Sequence, residues 1–190
     1  MAEKPTPQAL TRAKTVLFES VKKGNVQPIV AIINHGFPID EPIMDSGVNL
    51  LMHASALFPS DQLQTILELN PNVNARDNMG RTALHFACRA GNIDNFNVLA
   101  AIEDIELDPA TTTGVTPIMN AVESANIQLV AECLNNNLNP FLKDALGRTA
   151  LDYSYHYRDM MGQDMQNLIQ TAMDQWMTQT DESDRTGSQQ

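Results

Sequence analysis

Apolar residues recur along this chain at helical spacing in short runs, and each run ends at glycine, asparagine or proline. Thr11 precedes a run from Arg12 to Lys23 with Val16, Leu17 and Val21 on one face. Gly24-Asn25 breaks it, and the next run carries Pro28 in its first turn, then Ile29, Val30, Ile32 and Ile33, and stops at Gly36. A third run follows Asp45-Ser46-Gly47 and breaks at Phe58-Pro59. Ser60 then reads as the N-cap of a helix through Leu69, with Leu63, Ile66 and Leu67 inward. Asn70 to Ala75 reads as a turn and a short extended link.

The stretch from Asp77 to Leu99 is the clearest: a tight turn, a short helix opened by Thr82-Ala83-Leu84-His85, an Ala90-Gly91-Asn92 break and a second amphipathic helix. Gly114 to Met119 restarts the pattern, with a second helix at Ile127–Leu134 and a turn at Asn137–Pro140. Gly147-Arg148-Thr149-Ala150-Leu151-Asp152 begins a last copy. Its second helix is delayed to Gln163–Met177, with Met165, Leu168, Ile169, Met173 and Trp176 at helical spacing, as a helix capping the open end of a stack would have.

The turn glycines Gly47, Gly80, Gly114 and Gly147 are separated by 33, 34 and 33 residues. A period near 33 with two helices per unit is that of a helical solenoid. On these residues, and above all on Thr82-Ala83-Leu84-His85, the chain resembles the ankyrin-repeat family over residues 10–177. The resemblance implies an all-α fold: a solenoid of stacked helix-turn-helix units with short hairpin loops and a C-terminal capping helix. It also implies that the Thr and His of that motif bond locally and tie neighbouring units. Thr116-Pro117-Ile118-Met119 and Thr149-Ala150-Leu151-Asp152 lack the His, and Asn49-Leu50-Leu51-Met52 lacks both, so softer junctions are expected there. The organisation read is a disordered lead-in at 1–9, one domain at 10–177 in units of about 10–43, 44–76, 77–110, 111–143 and 144–177, and a disordered acidic and polar tail at 178–190.

Composition narrows the setting. Aromatics make up 5%, so the core is aliphatic. Cys88 and Cys133 alone give no disulfide framework and suggest a reducing compartment, and no secretory leader is read at the N-terminus; a cytoplasmic or nuclear location is expected. No apolar run reaches the ~18 residues of a membrane span. The net charge is −11, with residues 1–23 at +3 and the remainder at −14. A body this acidic argues against general nucleic-acid binding.

Candidate chemistry is sparse. No phosphate-binding glycine loop, Ser-His-Asp or Cys-His constellation is present, and no His or Cys pair has ligand spacing. No catalysis, metal or cofactor is expected. Mapped onto the positions the family leaves variable on its concave side, all Lys and Arg residues between 22 and 157 fall together: Lys22, Lys23, Arg76, Arg81, Arg89, Lys143 and Arg148. With Asn78, Met79, Val115, Leu146 and Tyr157 they form the expected partner-binding set, a basic concave groove for a protein segment with acidic and apolar residues. The function expected is a non-catalytic adaptor, inhibitor or assembly factor, monomeric when free. A fixed structural subunit of a large assembly and a substrate-targeting subunit of an enzyme complex remain alternatives.

Overall fold

In the computed structural model, residues 6–157 and 160–187 are described, with their side chains as far as Thr178 apart from that of Pro7. These residues form ten helices and no strand. They run α1 (Pro7–Lys22), α2 (Val26–Asn34), α3 (Leu50–Leu57), α4 (Ser60–Leu67), α5 (Ala83–Arg89), α6 (Ile93–Ala100), α7 (Pro117–Glu123), α8 (Ile127–Asn135), α9 (Ala150–Ser154) and α10 (Met160–Gly187). The first helix of each unit packs on the first helix of the next, giving a row α1-α3-α5-α7-α9, and the second helices form a parallel row α2-α4-α6-α8-α10. No single pair could hide its apolar face, and stacking makes one continuous core.

That core runs the length of the stack. Leu17, Ile29, Leu50, Leu63, Leu84, Phe96, Ile118, Leu129, Ala150 and Ile169 are all buried. A fully buried Leu, Ile or Phe side chain contributes roughly 1.5–3 kcal/mol relative to exposure. Val16, read on one face with Leu17 and Val21, is 45% exposed, whereas those two are buried.

Local chemistry sets the helix ends. Asn25, Asn92 and Asn126 cap α2, α6 and α8, their side-chain oxygens accepting from the N–H of Gln27, Asn95 and Leu129. Pro59, rather than Ser60, is the N-cap of α4; Ser60 is already helical, and the Pro59 carbonyl accepts from Gln62 and Leu63. Helix α1 starts at Pro7, inside the stretch read as lead-in, because Thr6 accepts from Ala9 N–H and Leu10 and Ala13 pack on the core. The rest of that lead-in, residues 1–5, lies outside the described residues. Helix α10 is longer than the segment expected from the pattern and continues through 178–187, where the sequence has no proline or internal glycine to stop it; residues 188–190 lie outside the described residues.

As expected of a cap, α10 packs on α8 and α9, with Met165 and Ile169 buried and Trp176 edge-on to Phe141 at 6.2 Å. Behind the stack the loops are laced across units. Asp40 accepts from Asn72 N–H at 2.9 Å, and Asp108 from Asn139 N–H at 3.1 Å. The Asn74 amide donates to the Asp104 carbonyl at 2.7 Å and accepts from Glu106 N–H at 2.9 Å. Part of the acidic character of this side is therefore structural.

Candidate functional site

Each unit after the first begins with a tight turn whose glycine has positive φ, and these turns stack into a hydrogen-bonded ladder. Asn78 N–H donates to the Ser46 carbonyl at 3.0 Å, Thr112 N–H to Met79 at 2.9 Å, and Ala145 N–H to Thr113 at 2.8 Å. The residue before the glycine is thereby held at the outer lip of every turn. In two units it is apolar: Met79 is 51% exposed and Leu146 76%.

Two turns share the sequence Asp-x-x-Gly-Arg, at 77–81 and 144–148. In each, the aspartate accepts from two backbone N–H groups of its own turn and from the arginine side chain. Asp77 receives Met79 N–H at 2.9 Å, Arg81 N–H at 2.8 Å and Arg81 Nε at 2.7 Å. Asp144 receives Leu146 and Arg148 N–H, both at 2.9 Å, and Arg148 Nε and Nη2 at 2.8 and 2.6 Å. The two guanidiniums then lie over the rings of Phe86 and Tyr153, at 4.9 and 4.6 Å from their centroids.

Burial acts to raise the pKa of Asp144, but bonds from Arg148, Tyr153 and Leu146 outweigh it and bring the carboxyl down to about 2. Burial and the bond to Asp144 push the Tyr153 phenol up to about 12.

Between the turns and the C-terminal ends of α5, α7 and α9 runs a trough made of two clefts. The larger, about 450 Å³, is lined by Arg89, Glu123, Arg148, Tyr153, His156 and Tyr157. The smaller, about 140 Å³, has Met79, Arg81, Thr111, Thr113, Val115 and Asn120 around it. Arg89 and Glu123 border both. Glu123 Oε2 accepts from Asn120 Nδ2 at 3.1 Å, and the Glu123 carbonyl accepts the Tyr157 hydroxyl at 2.9 Å.

Of the twelve residues expected at the site, this trough assembles Met79, Arg81, Arg89, Val115, Arg148 and Tyr157. Leu146 and Asn78 lie on the turn ladder beside it. The others are apart. Lys22 lies over Phe18, and Lys23 is 3.8 Å from Glu19 beside a separate cleft. Arg76 is bound to Glu106 at 2.7 Å and to the Ala110 carbonyl. Lys143 is exposed near Asp152.

The expected uniform basic stripe is thus corrected in its charge: Arg76, Arg81 and Arg148 are each matched by a carboxylate of this chain. The Asp-to-Arg spacing of four around a glycine was present twice in the sequence and is the signal that counting cations alone overlooks. Asp77, Asp144 and Tyr153 were missed for the same reason.

The junctions above the trough differ as their sequences do. His85 Nδ1 accepts from Thr82 N–H at 3.1 Å, and Nε2 is 3.0 Å from the Val115 carbonyl in the next unit. The ring is therefore the neutral Nε2–H tautomer. Burial lowers its pKa to about 4, against a smaller opposing pull from the Val115 carbonyl. At Thr116 the ring nitrogen is replaced by Met119 Sδ, 3.4 Å from the Thr116 N–H. Asp152 replaces the His in the last unit and accepts from Thr149 N–H and Oγ1 at 2.7 and 2.8 Å.

Among the described residues no group of three or more His, Cys, Asp or Glu could hold a metal, and no helix is long and apolar enough to cross a membrane. Both cysteines are buried free thiols.

This geometry defines a class, a helical-repeat solenoid with a turn ladder along one edge. Part of the chain matches a particular known family. Residues 51–100 match the family model for ankyrin repeats (many copies). The chain is similar to neurogenic locus notch homolog protein 1 of Danio rerio, 29% identical over 136 residues, 72% of this chain. It is also similar to human neurogenic locus notch homolog protein 1, 31% identical over 104 residues and 54% of this chain, and to the human protein 2, 26% identical over 136 residues. The matched stretches cover 6%, 4% and 6% of those proteins. Residues 51–100 thus carry ankyrin repeats, and the all-helical stack of the described residues agrees with an ankyrin-repeat solenoid.

Proposed function

We propose that the chain is a non-catalytic protein-interaction module, an adaptor, inhibitor or assembly factor, that receives a partner protein along the trough and the turn lips above it. Ankyrin repeats generally mediate protein–protein contacts, and that much comes with the family. The observation that supports this face is the pair Met79 and Leu146, large apolar side chains exposed on turns two units apart. Apolar anchors of this kind dominate binding energies, while rim charges set orientation and encounter rate. The partner segment this surface suits carries apolar residues toward the lips and acidic character toward the trough. A cytoplasmic or nuclear setting belongs to the same reading.

A second reading, a fixed subunit of a larger assembly, draws on the exposed Tyr155, Met160 and Met161 around the start of α10. That surface is at the end of the stack, where a permanent neighbour would continue it.

The deciding experiment is quantitative capture from native extract with the wild type, Met79→Glu/Leu146→Glu, and Gln128→Lys on the outer α8. We expect at least tenfold less of one defined partner set on the lip variant and no change on the α8 variant. Unchanged capture by the lip variant overturns the assignment of this face.

A further inference from the structure

Resting on that reading, we infer that the trough is selective for an extended segment with a single acidic side chain flanked by apolar residues, and that Arg89 is the residue that takes the carboxylate.

The cations of this face differ in how far their charge is already engaged. Arg81 and Arg148 are held in place by Asp77 and Asp144, whose side chains are 0% and 3% exposed, so their charges are already balanced and their donors largely engaged. Arg76 is likewise paired, on the far side of its turn. Arg89 is different. It ends α5, its side chain is exposed, and among the described residues it forms no ion pair within 4 Å. A guanidinium offers five donors in a planar fork that matches a carboxylate two-to-two.

Position makes this cation selective. Arg89 borders both clefts, so a carboxylate bound there has neighbours on two sides. On one side are Met79 and Val115, on the other Tyr153, Tyr157 and His156. These surfaces suit apolar or aromatic side chains of the same segment. Glu123 shares the dividing wall with Arg89, and one of its oxygens is taken by Asn120. A negative charge on the wall shared with Arg89, the one cation lining the trough among the described residues that has no carboxylate partner, repels a second acid, and so does a body at −14. The trough therefore discriminates against acidic runs and polyanions while accepting one carboxylate.

The test uses a synthetic array of nine-residue peptides with apolar residues on both flanks and Glu, Gln, Lys, Glu-Glu or phosphoserine at the centre. It is probed with the wild type, Arg89→Gln, Arg89→Lys and Arg12→Gln on α1, each checked for unchanged helicity. The wild type and Arg12→Gln should retain Glu-centred peptides at least tenfold over Gln-centred ones and over Glu-Glu. Arg89→Gln should erase that preference and Arg89→Lys restore part of it. A preference for Glu that survives Arg89→Gln overturns the role of Arg89, and tighter binding of phosphoserine peptides replaces the proposed occupant. If no peptide binds while the lip variant still loses its captured partners, the extended-segment proposal fails and the face stands; if the lip variant loses nothing, the face fails as well.

Discussion

Gly114→Ala unfolds the array at markedly lower denaturant, with a loss of about 3 kcal/mol. Two independent causes add. Gly114 has φ of +77°, where an L side chain meets its own backbone at a cost of roughly 1–2 kcal/mol. A Cβ there would also lie 2.9 Å from Asp144 Cα and 3.1 Å from Ala145 N. Neither is the end of a flexible side chain, so the turn ladder must open, and the bond from Ala145 N–H to Thr113 is the one strained. The reciprocal change checks the argument. Ala125 holds φ of +56°, at the break where Gly24 and Gly91 serve the earlier units. Ala125→Gly should stabilise by about 0.5–1 kcal/mol after the extra freedom of glycine in the unfolded chain is subtracted. Urea titrations of the two variants suffice; equal midpoints for Gly114→Ala and wild type would contradict the ladder.

Stability falls as pH drops from about 6.5 to about 4, by roughly 3 kcal/mol, and His85 is the main cause. Its pKa is about 4 in the fold against 6.5 when exposed. Above 6.5 the ring is neutral in both states and the full stability is present. Between the two values the unfolded chain takes up a proton that the folded chain refuses, so unfolding is favoured. Below about 4 the loss is complete. His53, lowered by burial, acts in the same direction to a smaller extent. Asp144, brought down to about 2, adds a separate loss below the ordinary aspartate range near 3.8. His85→Gln should start less stable at pH 7.5 and show a much flatter profile from 6.5 to 4. A wild-type profile flat over that window would show that the imidazole is not the junction's pH-sensitive part.

Much of the fold was readable because its signals are periodic. The glycine spacing follows from turns that must align to bond to one another, and Asn caps mark where three of the second helices, α2, α6 and α8, begin. What was less legible has physical reasons. The start of α1 depends on Thr6 capping a proline-containing turn, which the apolar pattern does not reveal. The extent of α10 past Met177 leaves no hydrophobic trace in the sequence, because that part of the helix carries no apolar stripe. The candidate site was legible in position and misread in charge. Family spacing placed Arg81, Arg89 and Arg148 on one side, but their availability depends on partners at the buried base of the turn. Asp77 and Asp144 were the two residues to weigh, and of these three arginines Arg89 alone has no aspartate four positions before it.

The turn lips and the trough are the proposed working surface. Hydrogen–deuterium exchange on the chain alone and on the complex with its captured partner tests this most directly. Exchange should slow at the turns 77–82, 111–116 and 144–149 and at the ends of α5 and α7, with α4, α6 and α8 unchanged. Protection confined to α4, α6 and α8, or to α10, with the turns unaltered, would contradict it.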